Sequence, residues 1–331
     1  MNTQPVFRDP DGTMPNSLAI AFAVAGYALA LALIVAGSMP AAIAGTLLLA
    51  ASLTVGAYLI HECAHGTLFR RPEHNTLLGT ALTWLVGACY APFAALREKH
   101  LIHHAERIDS VSFDYRPLLR RSPRLLRHVA LLEHAYVPAV DLIMRGAVIA
   151  APFYEERHRG QRGRVITVLV ARLLFFTVLA TLWLPALALY AIGYMLFLHV
   201  MRFMDAYQHS YELVVVGDRA ELAGRTRPTR EFEEQNTYSN PAPLLNLITL
   251  NFGFHNAHHR RPAEPWYRLP ALHREIYGDM KSHTLPFLPL LRNYHRNRVR
   301  ILLGDYGLGD TRCEDALAFQ GALGVSFLTQ Y

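Results

Sequence analysis

AAIAGTLLLAASLTVGAYLIHECAH, residues 41–65, is the stretch that decides the fold. Residues 41–60 carry no charge and are rich in Ala, Leu, Ile and Val. That is the length and composition of a helix crossing a hydrocarbon core, which needs about 20 apolar residues. The run leads directly into His61 and His65, spaced i and i+4, so a continuing helix puts both imidazoles on one face.

Before it, Ser17–Ala36 is a second uncharged run, and only a few residues around Ser38 join the two, so the pair reads as a helical hairpin. Val165–Leu184 and Pro185–Met204 read as another, turning near Pro185, with Arg172, His199 and Arg202 its only charged or imidazole side chains. Leu77–Leu96 is also apolar but contains Gly79, Gly87 and Pro92. We read it as not spanning, because a crossing there would put the histidines at 61 and 100 on opposite sides of the membrane. Neither hairpin tip carries Lys or Arg, whereas 61–164 and the region after 202 are rich in Arg. Basic residues favour the cytosolic side, so both polar regions and both termini are expected there. The expected fold is all-α: four transmembrane helices in two hairpins with a cytosolic helical cap.

Composition agrees. Hydrophobic residues make up 52% of the 331, and the net charge of +6 is concentrated in the polar stretches. Those basic loops could dock an acidic redox protein or the phosphates of membrane lipid, coenzyme A or acyl carrier protein, and no nucleic acid is expected. Cys63, Cys89 and Cys313 form no C-x-x-C, as in a reducing compartment. Residues 1–16 lack a basic signal-peptide n-region and read as a disordered lead-in. The main domain is expected over 17–275 and a cytosolic tail over 276–331. Val129–Phe153 is mixed in character and reads as interfacial, and 217–240 as a polar loop.

Two further clusters follow the first: His100/His103/His104 and His255/His258/His259, both H-x-x-H-H. On a helix these imidazoles also share a face. Neutral imidazole is the commonest protein metal ligand, and eight are too many for one tetrahedral ion. H-E-C-A-H alone also matches the zinc-protease pattern, with Glu62 as base. His209 follows the fourth span directly, with Asp205 four residues before it, and a shared helical face makes His209 a ninth candidate. Asp205 could orient a ligand or reach a metal itself, directly or through water. His199 stays open, and the remaining histidines are read as surface or core residues. A sulfur-free, histidine-rich set suits iron, zinc or copper. Two iron ions activating O2 to oxidise an unactivated C–H bond fit nine imidazoles better than hydrolytic zinc. A position beside the bilayer suits a substrate with a long apolar tail.

H-E-C-A-H, H-L-I-H-H and H-N-A-H-H-R-R-P-A-E-P-W-Y-R-L-P together resemble the integral-membrane fatty acid desaturase superfamily, over about residues 17–275. That superfamily includes hydroxylases, ketolases and oxidative decarboxylases. The resemblance implies a di-iron centre (Fe2+/Fe3+) ligated by His61, His65, His100, His103, His104, His209, His255, His258 and His259, with O2 as co-substrate. It sets Asp205 where animal-type acyl desaturases have an asparagine reaching the metal through water. It makes Glu62 a partner of a ligand rather than a protease base, and Asp109 and Asp114 candidate hydrogen-bond partners of the imidazoles. Pro262, Trp266, Leu269 and Pro270 extend the third motif and are expected to fix the cap against the membrane.

The expected substrate is a fatty acyl chain, as free acid, acyl-CoA, acyl-ACP or lipid. Electrons are expected from a separate ferredoxin, rubredoxin or cytochrome b5, and the location is a bacterial inner membrane. Desaturation is the leading expectation. Hydroxylation, or decarboxylation to a terminal alkene, is the alternative on the same site, and a membrane zinc metalloprotease is the distant one.

Overall fold

The computed structural model describes residues 5–215, 222–278, 284–303 and 321. In chain order its helices are α1 (Thr13–Val35), α2 (Met39–His65), α3 (Pro72–Val86), α4 (Phe93–Glu106), α5 (Arg116–Arg121), α6 (Pro123–His134), α7 (Ala139–Tyr154), α8 (Arg162–Leu182) and α9 (Ala186–Ala206). Then come α10 (Arg230–Gln235), α11 (Pro243–Ile248), α12 (His255–Arg260), α13 (Leu269–Tyr277) and α14 (Phe287–Leu303). Two three-residue strands, β1 (Asp109–Val111) and β2 (Leu213–Val215), pair in parallel with Asp109 opposite Leu213. This ribbon is the one departure from an all-α expectation among the described residues, and it fixes the backbone of Asp109.

The chain divides into two compact units, Met1–Ala95 with Gly146–Val200, and Leu96–Arg145 with Met201–Gln330. The first holds the hairpins. Four segments are long and apolar enough to span a membrane: Pro10–Val35, Met39–His65, Glu156–Leu182 and Ala186–Ala206. The chain is an integral membrane protein. Only 17% of the third span is buried, and Leu173 and Leu174 on α8 are largely exposed. Such a surface belongs against lipid, where a helix satisfies its own backbone. Within that span Arg172 donates to the Trp84 carbonyl, as an intramembrane cation requires.

The first hairpin turns at Gly37, φ +77°. Its helices approach closely at Gly45, where a Cβ would stand 2.7 Å from the Ala30 carbonyl oxygen. Small residues permit such contact in membranes. Pro40 opens α2, and Gly66 closes it in the left-handed region at φ 68°. The helix therefore runs five residues past the apolar run and carries H-E-C-A-H on its last turns. At fifteen residues, α3 is about 22 Å long, short of a ~30 Å core. This fits the expectation that 77–96 does not span. The N-terminal lead-in differs from expectation over residues 5–12. Phe7 stacks on Phe69 at 5.2 Å, and Arg8 N donates to the Leu68 carbonyl at 2.9 Å. One aromatic pair with its backbone bonds orders a segment whose composition is polar.

The second unit has its own core. Val111, Tyr115, Leu119, Val129, Val140 and Met144 pack with Leu302 of α14, and Tyr115 Oη donates to the Leu302 carbonyl at 2.7 Å. A second cluster joins Ala257, Leu269, Leu272 and Tyr277. Leu269, from the extended third motif, thus anchors α12 to α13. Beside the first core, Glu133 on α6 is fully buried and binds Arg202 at 2.7 Å, while Arg298 of α14 donates to the Glu133 carbonyl.

Candidate metal centre

In the first unit, His61 and His65 lie on one face of α2 with ring centroids 4.7 Å apart. His61 Nδ1 is 3.3 Å from Glu62 Oε1, and the other Glu62 oxygen accepts from Thr67 Oγ1 at 2.6 Å. Glu62 is thus hydrogen-bonded to an imidazole and a hydroxyl.

In the second unit, α4 carries His100, His103 and His104, and α12 carries His255, His258 and His259. His103, His209, His255 and His259 are all buried and offer one nitrogen each within 4.8 Å of the others. The pairs are close: His255 Nε2 to His209 Nε2 is 2.7 Å, and His103 Nε2 to His259 Nε2 is 3.3 Å. Beside them, His104 Nε2 is 3.2 Å from His100 Nε2 and 3.1 Å from His258 Nε2.

Three of the outer nitrogens lie near acceptors. His103 Nδ1 donates to the Ile108 carbonyl at 2.8 Å and lies 3.3 Å from Asp109 Oδ1. His209 Nδ1 lies 3.5 Å from the same oxygen. His259 Nδ1 donates to Glu233 Oε1 at 3.1 Å. A proton held on Nδ1 leaves the Nε2 lone pair free. Lone pairs of neutral imidazoles repel when crowded, and a shared cation removes that repulsion. With imidazole–metal bonds of about 2.0–2.1 Å, nitrogens on one ion fall within roughly 4.2 Å of each other, which the 2.7 and 3.3 Å pairs meet, and a set within 4.8 Å closes to that span with a small shift of its rings.

Electrostatics agree. Burial pushes His209 below its ordinary value, and burial with the neighbouring imidazoles pushes His255 well below. Both are therefore neutral and ready to bind. Burial alone would raise Asp109, but its contacts with the His209 and His103 imidazoles outweigh burial and hold the carboxyl well below its usual range. Burial brings Lys99 down to about 8, against the pull of Asp205 and Asp109.

Several sequence expectations change here. Asp205 and His209 do not share a helical face: α9 ends at Ala206, and a β-bridge to Thr237 holds His209 instead. Asp205 Oδ2 is buried without a hydrogen-bond partner among the described residues. Asp114 pairs instead with Arg116 at 2.8 Å. His199 is in neither metal-capable group. His273 is a core residue donating to Asn256 Oδ1 at 3.0 Å, which supports a structural role for Asn256. Glu233 was missed, because 217–240 reads as a loop. Yet Thr229 caps α10 by accepting from Phe232 N at 3.1 Å, and acids fill the first turn. Thr followed by Glu231 and Glu233 is a helix-start signal that could have revealed it.

Residues 36–290 match the model of the fatty acid desaturase family. The chain belongs to the fatty acid desaturase family. Over 238 residues, 68% of this chain and 60% of the relative, it is 28% identical to a sphingolipid delta(4)-desaturase of Candida albicans. Over 51 residues, 14% of this chain and 16% of the relative, it is 51% identical to sphingolipid delta(4)-desaturase DES1 of Drosophila melanogaster. The chain therefore spans about three fifths of the first of these and a smaller part of the second. Both metal-ligand motifs of the second unit and the one on α2 fall within the family match.

Proposed function

We propose that this protein is an O2-dependent di-iron fatty acid desaturase that introduces a C=C bond into a fatty acyl chain. The observation that carries the reading is the inward convergence of buried Nε2 atoms from His103, His209, His255 and His259, with Nδ1 of His103 held by the Ile108 carbonyl and Nδ1 of His259 by Glu233. These four imidazoles would hold one ion. His100, His104 and His258 would contribute to a second, and His61 and His65 on α2 are proposed as ligands as well. Asp205 would supply a carboxylate to the iron, directly or through water.

Bound iron supplies O2 activation and oxidation of an unactivated C–H bond. The chain's own groups do the rest. Asp109, the Ile108 carbonyl and Glu233 fix tautomer and ring direction. Phe252 packs on His255 and His258, with centroids at 4.6 and 5.3 Å, and burial of the ligands keeps bulk water from the site. Two hydrogens leave adjacent methylenes, and a separate redox protein delivers the electrons. The names of the relatives support a long-chain lipid substrate. The basic regions face the cytosol of a bacterial cell, following the positive-inside bias.

Purified protein is expected to hold about two irons per chain. With a fatty acid and a reductant it is expected to yield an unsaturated product of equal length, and His258→Ala is expected to lose iron and activity together. Asp205 favours a second reading, because a carboxylate stands where animal acyl desaturases have an asparagine. A hydroxylated product, or a 1-alkene one carbon shorter with CO2, would establish that outcome in place of desaturation.

A further inference from the structure

The family match ends at residue 290, whereas α14 continues to Leu303 and is built into the second unit. Its inner face is Leu290, Tyr294, Arg298, Ile301 and Leu302. Its outer face carries Arg292, Arg296 and Arg300, spaced i, i+4 and i+8 and all exposed. Like charges at that spacing repel and weaken a helix, and no acid lies in 287–303 to offset them. On the same core, α5 and α6 add exposed Arg120, Arg121, Arg124 and Arg127 and expose no acid. Residues outside those described carry seven acids and three basic side chains, a net of four negative charges, so the seven arginines exceed them. Membrane orientation does not call for α14's arginines either. Basic residues set topology within about 15–20 residues of a span, and the last span ends at Ala206.

The core under α14 reaches the ligands. Leu302 and Val111 belong to one packed cluster, and Tyr115 Oη donates to the Leu302 carbonyl at 2.7 Å. Val111 ends β1, which begins at Asp109, and Asp109 Oδ1 lies 3.3 Å from His103 Nδ1. Packed atoms therefore connect this helix to a candidate ligand imidazole.

We propose that the arginine stripe of α14 docks the small acidic protein that delivers electrons one at a time, with the arginines of α5 and α6 adding to the attracting field. This rests on the di-iron reading above and adds where its electron carrier binds. Each turnover takes two electrons from the carrier and two protons from solvent, which with two hydrogens of the substrate reduce O2 to two waters. Electron-transfer contacts are small and charge-steered, which suits an outward row of arginines. A helix lying in a bilayer surface needs an outward apolar face, and Leu288 is the one large apolar side chain that α14 exposes. Acyl carrier protein is acidic too, but it must pass a chain inward, and the residues beneath α14 are a packed core. Electrons cross such a core and an acyl chain does not.

The test is binding of a plant-type ferredoxin, an acidic one-electron carrier, to the iron-loaded full chain in nanodiscs of neutral phosphatidylcholine. The wild type is expected to bind it, and to bind it about tenfold more weakly once salt rises from about 50 to 300 mM. The triple variant Arg292→Gln, Arg296→Gln, Arg300→Gln is expected to lose about tenfold in affinity at low salt with iron content unchanged. The corresponding triple lysine variant is expected to keep most of it. No binding by the wild type overturns the proposal, as does binding indifferent to salt or equal in the wild type and the glutamine variant. Tighter binding of acyl carrier protein than of ferredoxin overturns it by assigning the face to substrate delivery. Phosphatidylglycerol that copurifies with the wild type and blocks ferredoxin overturns it in favour of lipid. If the glutamine variant does not fold, the salt dependence and the lysine variant decide. A wild type that holds no iron defeats the parent reading, whereas an iron-loaded protein that ignores ferredoxin defeats this inference alone.

Discussion

Glu233 Oε1 stands 3.1 Å from His259 Nδ1, and the other carboxylate oxygen takes a 2.8 Å bond from Arg107 Nε. An acid on a six-residue helix thereby sets the tautomer of an imidazole on another. Carboxylates behind metal-bound histidines raise ligand basicity, and their loss costs about 10–100-fold in affinity or activity. Glu233→Ala is expected to weaken iron retention on that scale. Glu233→Gln, whose amide oxygen can still accept, is expected to be milder. Iron per chain after dialysis against a chelator measures both, and retention equal to wild type in Glu233→Ala would remove Glu233 from the site.

Acid should loosen this site before it affects the rest of the protein. His209 and His255 are held below the ordinary histidine value. Between their folded values and about 6.5, the unfolded chain binds more protons than the folded one. Stability of the metal-free protein therefore rises with pH across that window. Asp109, held low, acts in the same direction below about 3.9: its contribution is complete above that value and lost as pH falls. Burial of Asp205 beside Asp109 acts the opposite way over this range, so the prediction is made for Asp205→Asn: the Tm of that variant after chelator treatment is expected to be higher at about pH 7.5 than at about 5.5. A flat or inverted profile would contradict the burial of these imidazoles in neutral form.

The spans and ligand candidates were legible because each rests on a local pattern. The runs at 17–36, 41–60, 165–184 and 185–204 announce helices by length, and i, i+3, i+4 histidines announce a shared face. Groups that orient the ligands were less legible. Asp109 was found through its nearness to the second motif, but Glu233 is 26 residues from His259 in the chain and was lost in a polar loop. Asp205 and His209 show the limit of periodicity. Their spacing predicts one face only while the helix lasts, and it ends at Ala206. The ordered residues 5–12 depend on Phe69, a partner that no local pattern identifies.

The buried ion network of the second unit should respond unequally to single and paired changes. Glu133 binds Arg202 and takes the Arg298 guanidinium on its carbonyl, and Arg202 also pairs with Asp141. Removing one partner of a buried pair costs about 3–5 kcal/mol, because the other charge stays desolvated. Glu133→Ala is expected near the lower end, since Asp141 remains for Arg202. Glu133→Met with Arg202→Met removes both charges and is expected to recover part of the loss. Thermal unfolding of the two variants measures this, and a double variant no better than Glu133→Ala would mean that the network's worth lies in its geometry and not in charge compensation.

The first hairpin makes a sharper claim about space. A Cβ on Gly45 would stand 2.7 Å from the Ala30 carbonyl oxygen and 2.9 Å from Ile34 N, both backbone atoms of α1. Backbone cannot swing aside as a side-chain tip can, so the two helices must separate along their contact. Overpacking of this kind costs about 1–3 kcal/mol. Gly146, whose added Cβ meets nothing within 4 Å, supplies the control, since alanine there brings only its better helix propensity. Gly45→Ala is therefore expected to lower the Tm in detergent while Gly146→Ala leaves it unchanged or raised. Equal effects from the two would show that α1 and α2 are not in backbone contact at Gly45.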